Sequence, residues 1–244
     1  MHELQPPEKS NALRASTLGL RAVALLADLP ASALDAVALR CRWRRCPAGS
    51  RVISRDAADN DLYMIVSGRV RVTAFSAGGR QVMYREVGAG DWFGDLAAID
   101  GRTRSADVDA LEDTLLAAMG PTVLKELIHA HAGVCDRVLA RLTGLVRDLS
   151  ERVFDFSTLG VQQRVHAELL RLAKEAGVDG NTARIDPAPR HSDIAGKVST
   201  YREQVTRELS VLTRQGLLQR SGRALVVTDV ERLQRIVTEL RRST

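Results

Sequence analysis

Between Arg42 and Met119 the chain repeats one pattern that leaves few folds open. Short β-rich runs recur there: Val52-Ile53, Leu62-Tyr63-Met64-Ile65-Val66, Val70-Arg71-Val72-Thr73 and Val82-Met83-Tyr84. Turn residues separate them: Pro47-Ala48-Gly49, Asp59-Asn60-Asp61, Ser67-Gly68, Gly78-Gly79 and Gly88-Ala89-Gly90-Asp91. Many short strands at regular spacing bury their apolar faces by closing on one another, so the pattern predicts an antiparallel β-roll of the barrel or jelly-roll kind. Val108 to Met119 would supply the closing strands. Aromatic residues are only 4% of the 244, so Leu, Val and Ala must fill the core.

From Pro121 to Thr158 the apolar period changes to three or four. Val134, Val138, Leu142, Leu145, Leu149 and Val153 fall on one stripe of a long helix. A roll alone gives such a stripe too little to pack on, which points to a partner helix from a second copy of the chain; packing on its own roll is the alternative. Before the roll, residues 20–40 have helical spacing broken at Leu29-Pro30, with a second helix from near Ser32.

Beyond a hinge at Phe156–Gly160, Val161–Ala176 is amphipathic and stops at Gly177. A loop or short hairpin follows to Arg190. Then come Ser192–Val198, a turn at Ser199, and Tyr201–Gln215, ended by Gly216. Ile194, Ala195, Val198, Val205, Leu209 and Leu212 give these two helices a shared inner face, and Thr200 is the expected N-cap of the second. Arg202, Glu203, Thr206 and Arg207 share the opposite face by i, i+4 spacing. Arg suits guanine O6 and N7, and Glu accepts from cytosine N4, so this face suits the major groove of double-stranded DNA. Leu217–Gln219 and Ala224–Val227, joined through Ser221-Gly222-Arg223, read as a two-stranded wing, and Glu231–Leu240 as a last helix. Charge agrees: the first 160 residues carry 20 basic and 20 acidic side chains, the last 84 carry 15 and 10.

One loop in the roll, Phe93-Gly-Asp-Leu-Ala-Ala-Ile-Asp-Gly-Arg-Thr-Arg-Ser-Ala106, concentrates ligand chemistry. Gly94 permits close backbone approach, and Asp95, Leu96 and Ala97 begin a helical turn whose free N–H groups favour an anion. Arg104 offers a cationic fork and Ser105 a hydroxyl. Asp95 can accept from a sugar hydroxyl, so the set suits a phosphorylated ribose. The alternative is a surface turn with Arg104 solvated.

This loop resembles the phosphate-binding cassette of cyclic-nucleotide-binding domains, Phe-Gly-Glu-Leu followed by Arg-Ser/Thr-Ala. Arg202-Glu203-x-x-x-Arg207 resembles the Arg-Glu-x-x-x-Arg set with which CRP-like regulators read TGTGA-type half-sites. Over residues 25–227 the chain resembles the CRP/FNR family of bacterial transcription regulators. The resemblance implies an α+β chain: a flexible extension (1–20), an effector-binding β-roll (21–120), a dimerisation helix (121–158) and a winged helix-turn-helix (159–244). It implies effector contacts from Gly94, Asp95, Leu96, Ala97, Arg104 and Ser105, with Leu149 and Ser150 aligned to a pair that contacts adenine. It implies DNA contacts from Arg190, Ser192, Thr200, Tyr201, Arg202, Glu203, Thr206, Arg207 and, in the wing, Arg223. The expected effector is a cyclic nucleotide: cyclic AMP, cyclic GMP or cyclic di-GMP. The expected partners are a palindromic operator, a second copy in a homodimer, and RNA polymerase. Three departures stand out: Asp95 for Glu, Leu149 for Thr, and Ser199 for a turn glycine. The first two turn the expectation away from cyclic AMP.

Other classes fit less well. A cupin-type metal enzyme would need clustered histidines in the roll, yet none of the five lies between Trp43 and Met119. Cys41, Cys46 and Cys135 match no zinc or haem signature and lack the N-terminal cluster of iron–sulfur relatives. No apolar run reaches membrane-spanning length and no leader pattern opens the chain, so a cytoplasmic, non-enzymatic regulator is expected. Two alternatives remain: a DNA binder whose pocket is degenerate and needs no effector, and an enzyme-regulatory nucleotide-binding subunit.

Overall fold

The computed structural model describes residues 17–76 and 81–242. The expected Gly78-Gly79 turn and residues 1–16 of the expected extension lie outside them. Contacts divide the chain into two units, Met1–Ala74 with Tyr84–Leu142, and Phe75–Met83 with Thr143–Thr244.

The first unit opens with α1 (Thr17–Arg21), a 3-10 turn (Ala24–Leu26) and α2 (Ala31–Arg40). Residues 17–20, expected in the extension, are helical, and Leu20 is fully buried. α2 begins at Ala31, beside the expected Ser32, with Pro30 of the expected break as its N-cap. Then come β1 (Arg42–Cys46), β2 (Arg51–Ile53), β3 (Leu62–Ser67), β4 (Arg69–Phe75), β5 (Gln81–Gly88), β6 (Trp92–Phe93), α3 (Asp95–Asp100), β7 (Asp107–Ala110), β8 (Thr114–Met119) and α4 (Pro121–Ala130). The eight strands make two four-stranded sheets, β1-β8-β3-β6 and β2-β7-β4-β5, the expected β-roll. Strand alternation sorts the core. Tyr63, Ile65, Leu116 and Ala118 join residues of the other sheet in one apolar cluster, while Leu62, Met64, Ala117 and Met119 join the helices in another. Gly68 turns β3 into β4 at φ 90°, where a Cβ would lie 2.7 Å from the Asp113 carbonyl oxygen.

The region 121–158 is two helices rather than one. α4 ends at His131, which is extended, and α5 (Ala132–Thr158) starts afresh. This divides the apolar stripe. Val134 and Val138 are buried in the helix-side cluster and Leu142 packs against it, whereas Val146, Leu149 and Val153 are 62%, 50% and 64% exposed. Packing on its own roll, the alternative read from the sequence, thus holds for the first half of α5, and the second half of the stripe is exposed.

The second unit continues through α6 (Val161–Ala176), β9 (Val178–Asp179), β10 (Thr182–Ile185), α7 (His191–Val198), α8 (Arg202–Arg214), β11 (Leu218–Ser221), β12 (Ala224–Val227) and α9 (Val230–Arg242). Its sheet runs β11-β12-β10-β9. Ile194, Ala195, Val198, Val205, Leu209 and Leu212 share one buried cluster with Val165, Leu169 and Leu233, as a winged helix requires. Of the expected hinge Phe156–Gly160 only Leu159 and Gly160 lie outside helices, because α5 stays helical to Thr158, and Leu159 is buried. Ser199 takes the left-handed turn at φ 51°, a conformation a non-glycine residue adopts at a cost of about 1 kcal/mol or more. Tyr201, not Thr200, is the N-cap of α8, and no side chain caps it.

Candidate nucleotide pocket and nucleic-acid interface

The cassette loop is built around a buried guanidinium. Gly94 sits in the left-handed region at φ 82° as the N-cap of α3; a Cβ there would lie 2.7 Å from Arg104 Nη1 and 2.9 Å from the Asp61 carbonyl oxygen. The close approach that glycine permits is thus to Arg104 and Asp61. Arg104 is 3% exposed and donates four hydrogen bonds. Nε and Nη2 grip the Asp59 carboxylate at 3.2 and 2.7 Å, Nη2 also reaches the Asp61 carbonyl at 2.7 Å, and Nη1 reaches the Gly94 carbonyl at 3.1 Å. The guanidinium also lies 5.5 Å from the centre of the Tyr63 ring, which stacks on Phe93 at 5.3 Å. The Tyr63 hydroxyl donates to Asp59 at 3.2 Å. Hydrogen bonding from Arg104 holds the Asp59 carboxyl below its ordinary range, and burial pushes the Tyr63 phenol up.

Arg104 is therefore neither solvated nor an open fork: a carboxylate already occupies its bidentate edge. The sequence shows Asp59 only as a turn residue, because nothing local ties it to an arginine 45 positions later. Asp95 is 4% exposed; its Oδ2 has no hydrogen-bond partner, and Oδ1 lies 4.0 Å from Arg85 Nη2. A buried carboxylate oxygen left unpaired costs roughly 1–3 kcal/mol or more, which an arriving donor would recover. Leu96 is 46% exposed, Ala97 is buried and Ser105 is exposed. Leu149 and Ser150 lie on the exposed face of α5 in the second unit, and the Ser150 hydroxyl donates back to the Val146 carbonyl at 2.8 Å. Among the described residues no group of three or more metal-ligating side chains could hold an ion. Burial pushes the Cys41 thiol up to about 12.

On α8 the two faces separate cleanly. Val205, Leu209 and Leu212 are buried, whereas Tyr201, Arg202, Glu203, Thr206 and Arg207 are exposed. The Thr206 hydroxyl donates to the Arg202 carbonyl at 3.0 Å and meets His191 Nδ1 at 2.7 Å. His191, absent from the predicted contacts though it sits between Arg190 and Ser192, thus ties the start of α7 to the outer face of α8. Burial, then the charges of Arg202 and Arg220, push its imidazole below the ordinary value. Arg190 and Ser192 are exposed, and Thr200 is partly exposed in the turn. Arg223, in the wing turn, is 81% exposed and donates to Asp186 at 2.8 Å.

The model of the cyclic nucleotide-binding domain matches residues 43–131, and that of the Crp-like helix-turn-helix domain matches residues 163–236. The chain belongs to the CRP/FNR family. It is 26% identical over 190 residues to the CRP-like cAMP-activated global transcriptional regulator of Mycobacterium tuberculosis, covering 78% of this chain and 85% of that one. It is 27% identical over 188 residues to the cAMP-activated global transcriptional regulator CRP of Escherichia coli O157:H7, covering 77% and 90%. The solved structure of a CooA variant from Carboxydothermus hydrogenoformans shares the fold at a TM-score of 0.72 and 19% identity, covering 82% of this chain and 88% of that one. The protein is thus a DNA-binding regulator with a cyclic nucleotide-binding domain, not an enzyme. No described helix is long and apolar enough to cross a membrane.

Proposed function

We propose that this CRP/FNR protein is a homodimeric transcription regulator gated by a cyclic nucleotide, reading a palindromic operator of TGTGA-like half-sites. The observation that carries the DNA reading is the outward face of α8, where Arg202, Glu203, Thr206 and Arg207 stand exposed opposite the buried Val205, Leu209 and Leu212. Arg202 and Arg207 each take a guanine, and Glu203 accepts from a cytosine. Arg190, Ser192, Thr200, Tyr201 and Arg223 contact the backbone, which fixes register without reading sequence. The exposed stripe Val146, Leu149, Val153 meets the same stripe of a second copy, and RNA polymerase is the further partner.

In the effector pocket, Asp95 accepts a ribose hydroxyl, supported by its buried and unpartnered Oδ2. The phosphate exchanges with Asp59 for the bidentate edge of Arg104, beside the Ser105 hydroxyl and the backbone at Gly94, Leu96 and Ala97. Leu149 offers no hydrogen bond to a base, and Ser150 can do so only by leaving the Val146 carbonyl. A second reading has an observation behind it. Asp59 satisfies the bidentate edge of Arg104 without a ligand, as in a regulator whose DNA affinity needs no effector. The test is operator binding measured with and without cyclic AMP, cyclic GMP and cyclic di-GMP, beside calorimetry for each nucleotide. Nucleotide-dependent operator affinity supports gating; strong affinity that no nucleotide changes supports the second reading. No operator binding in either condition overturns both.

A further inference from the structure

Arg164 bridges the junction between α5 and the winged helix. Only Leu159 and Gly160 separate α5 from α6. Gly160 donates its N–H to Gln163 Oε1 at 2.6 Å, and having no side chain it returns nothing, so its cap is only half a capping box. Arg164, on the first turn of α6, ties the junction in another way, as a donor to carbonyl groups. Its Nη1 donates at 2.8 Å to the carbonyl of Leu159, at the C-terminal end of α5. Its Nε donates at 3.1 Å to the carbonyl of Val198, the last residue of α7. The same guanidinium lies 5.1 Å from the centre of the Phe156 ring in α5. One cation thus satisfies carbonyl groups at the negative ends of two helices, α5 and α7, and the Lys197–Glu168 ion pair at 3.2 Å adds a second polar link between α7 and α6. Val198 immediately precedes Ser199, the left-handed turn that aims α8. Polar contacts also hold α8 on α6: His166 Nε2 meets the buried Glu208 Oε1 at 2.7 Å, and Gln162 donates to that oxygen at 2.9 Å.

We propose that Arg164 is a positioning residue for operator recognition, fixing the direction of the recognition helix relative to the exposed half of α5 and thereby the half-site spacing that a dimer accepts. This rests on the proposed reading of a palindrome by a dimer joined along α5. In that dimer the half-sites must lie about one helical turn, roughly 34 Å, apart. A rigid junction rejects other spacings, and a loose one tolerates them. Lysine at position 164 would keep the charge but lose the planar fork that spans two carbonyls and the ring stack.

The experiment titrates full-length wild type, Arg164→Lys and Arg164→Ala against palindromes whose central spacer is shortened or lengthened by one and two base pairs. Single-base substitutions within the half-site are titrated in parallel. For wild type we expect affinity to fall roughly tenfold or more for each mis-spaced operator, about 1.4 kcal/mol by the usual conversion. For Arg164→Lys we expect this penalty to shrink below about threefold while base preference stays unchanged. A merely structural role would lower affinity for every operator in proportion and leave the spacing profile intact; that result overturns the proposal. A wild type indifferent to spacing would instead overturn the palindrome reading on which it rests. If Arg164→Ala does not fold, the lysine variant carries the test. Spin labels placed through Ser210→Cys on α8 give a readout without DNA: the inter-subunit distance distribution should broaden in Arg164→Lys, and an unchanged distribution also overturns the proposal.

Discussion

The cassette and the recognition helix each centre on arginine, and the two regions hold it in opposite ways. Arg104 is buried and makes four hydrogen bonds to its own chain. Arg202 and Arg207 stand exposed on a helix whose other face is core. A solvated guanidinium can meet a phosphate or a base edge at once. A buried, saturated one must give up an internal partner first, so its affinity for a ligand is the difference between two strong interactions. The same residue type is therefore committed to internal bonds in one region and, in the function proposed above, to recognition in the other.

Removing each arginine tests that contrast most directly. Arg104→Ala takes the guanidinium from Asp59, the Asp61 carbonyl and the Gly94 carbonyl, leaving Asp59 the Tyr63 hydroxyl and Gly94 the Ala98 N–H. Because Asp59 keeps some solvent, we expect a stability loss of about 2–4 kcal/mol, below the upper range for a fully buried pair. Urea unfolding of the nucleotide-free protein checks it. A loss under about 0.5 kcal/mol would mean the pair contributes nothing to the fold.

Arg202→Ala should do the reverse. Stability should stay within about 0.5 kcal/mol, while affinity for the preferred operator falls by about 1–3 kcal/mol and discrimination relaxes at one base pair. Titration against single-base-substituted operators decides it. Equal weakening of every operator would make Arg202 a phosphate contact and break the proposed code.

What the sequence shows of these regions follows from the range of the forces involved. The recognition face is legible because its signal is local: Val205, Leu209 and Leu212 at helical spacing dictate which way Arg202 and Arg207 point. The roll is legible where strands are β-branched, but β1 reads Arg-Trp-Arg-Arg-Cys and becomes a strand only by pairing with β8, some seventy residues on. Nothing between Ala130 and Ala132 announces the break at His131, since neither glycine nor proline marks it. Arg104 is legible as a residue type but not as a bonded group, because its partner comes from a distant turn. The Thr200 cap failed for a smaller reason: the chain enters α8 one residue later, at Tyr201.

A substitution at Asp59 sharpens the comparison by making the buried arginine resemble the exposed ones. Asp59→Asn keeps the shape, removes the negative charge, and leaves Arg104 with its carbonyl partners. An anionic nucleotide then competes against a neutral amide, and we expect its affinity to rise roughly tenfold, about 1.4 kcal/mol. Calorimetry with the nucleotide that binds wild type most strongly checks this, and unchanged or weaker binding would show that Asp59 does not contest the site. Acid should not substitute for the mutation at ordinary pH. The Asp59 carboxyl is held below its unfolded value, so the pair's contribution to stability is present above about pH 4 and is lost only as pH falls through the lower folded value.

The smallest effect should come from the wing, where an exposed arginine is also paired. Arg223 is 81% exposed and bound to Asp186 at 2.8 Å, an ion pair worth little in water. A wing residue of this kind meets phosphate rather than base edges. Arg223→Ala should therefore weaken all operators alike and reduce the slope of log affinity against log salt by about one unit. Asp186→Ala should leave that slope in place and raise affinity slightly, because the carboxylate no longer holds or screens the guanidinium. Both variants are read by titration of one operator and one unrelated duplex at two salt concentrations. If Arg223→Ala alters base preference while the salt slope stays fixed, the wing reads sequence, and recognition is not confined to the face of α8.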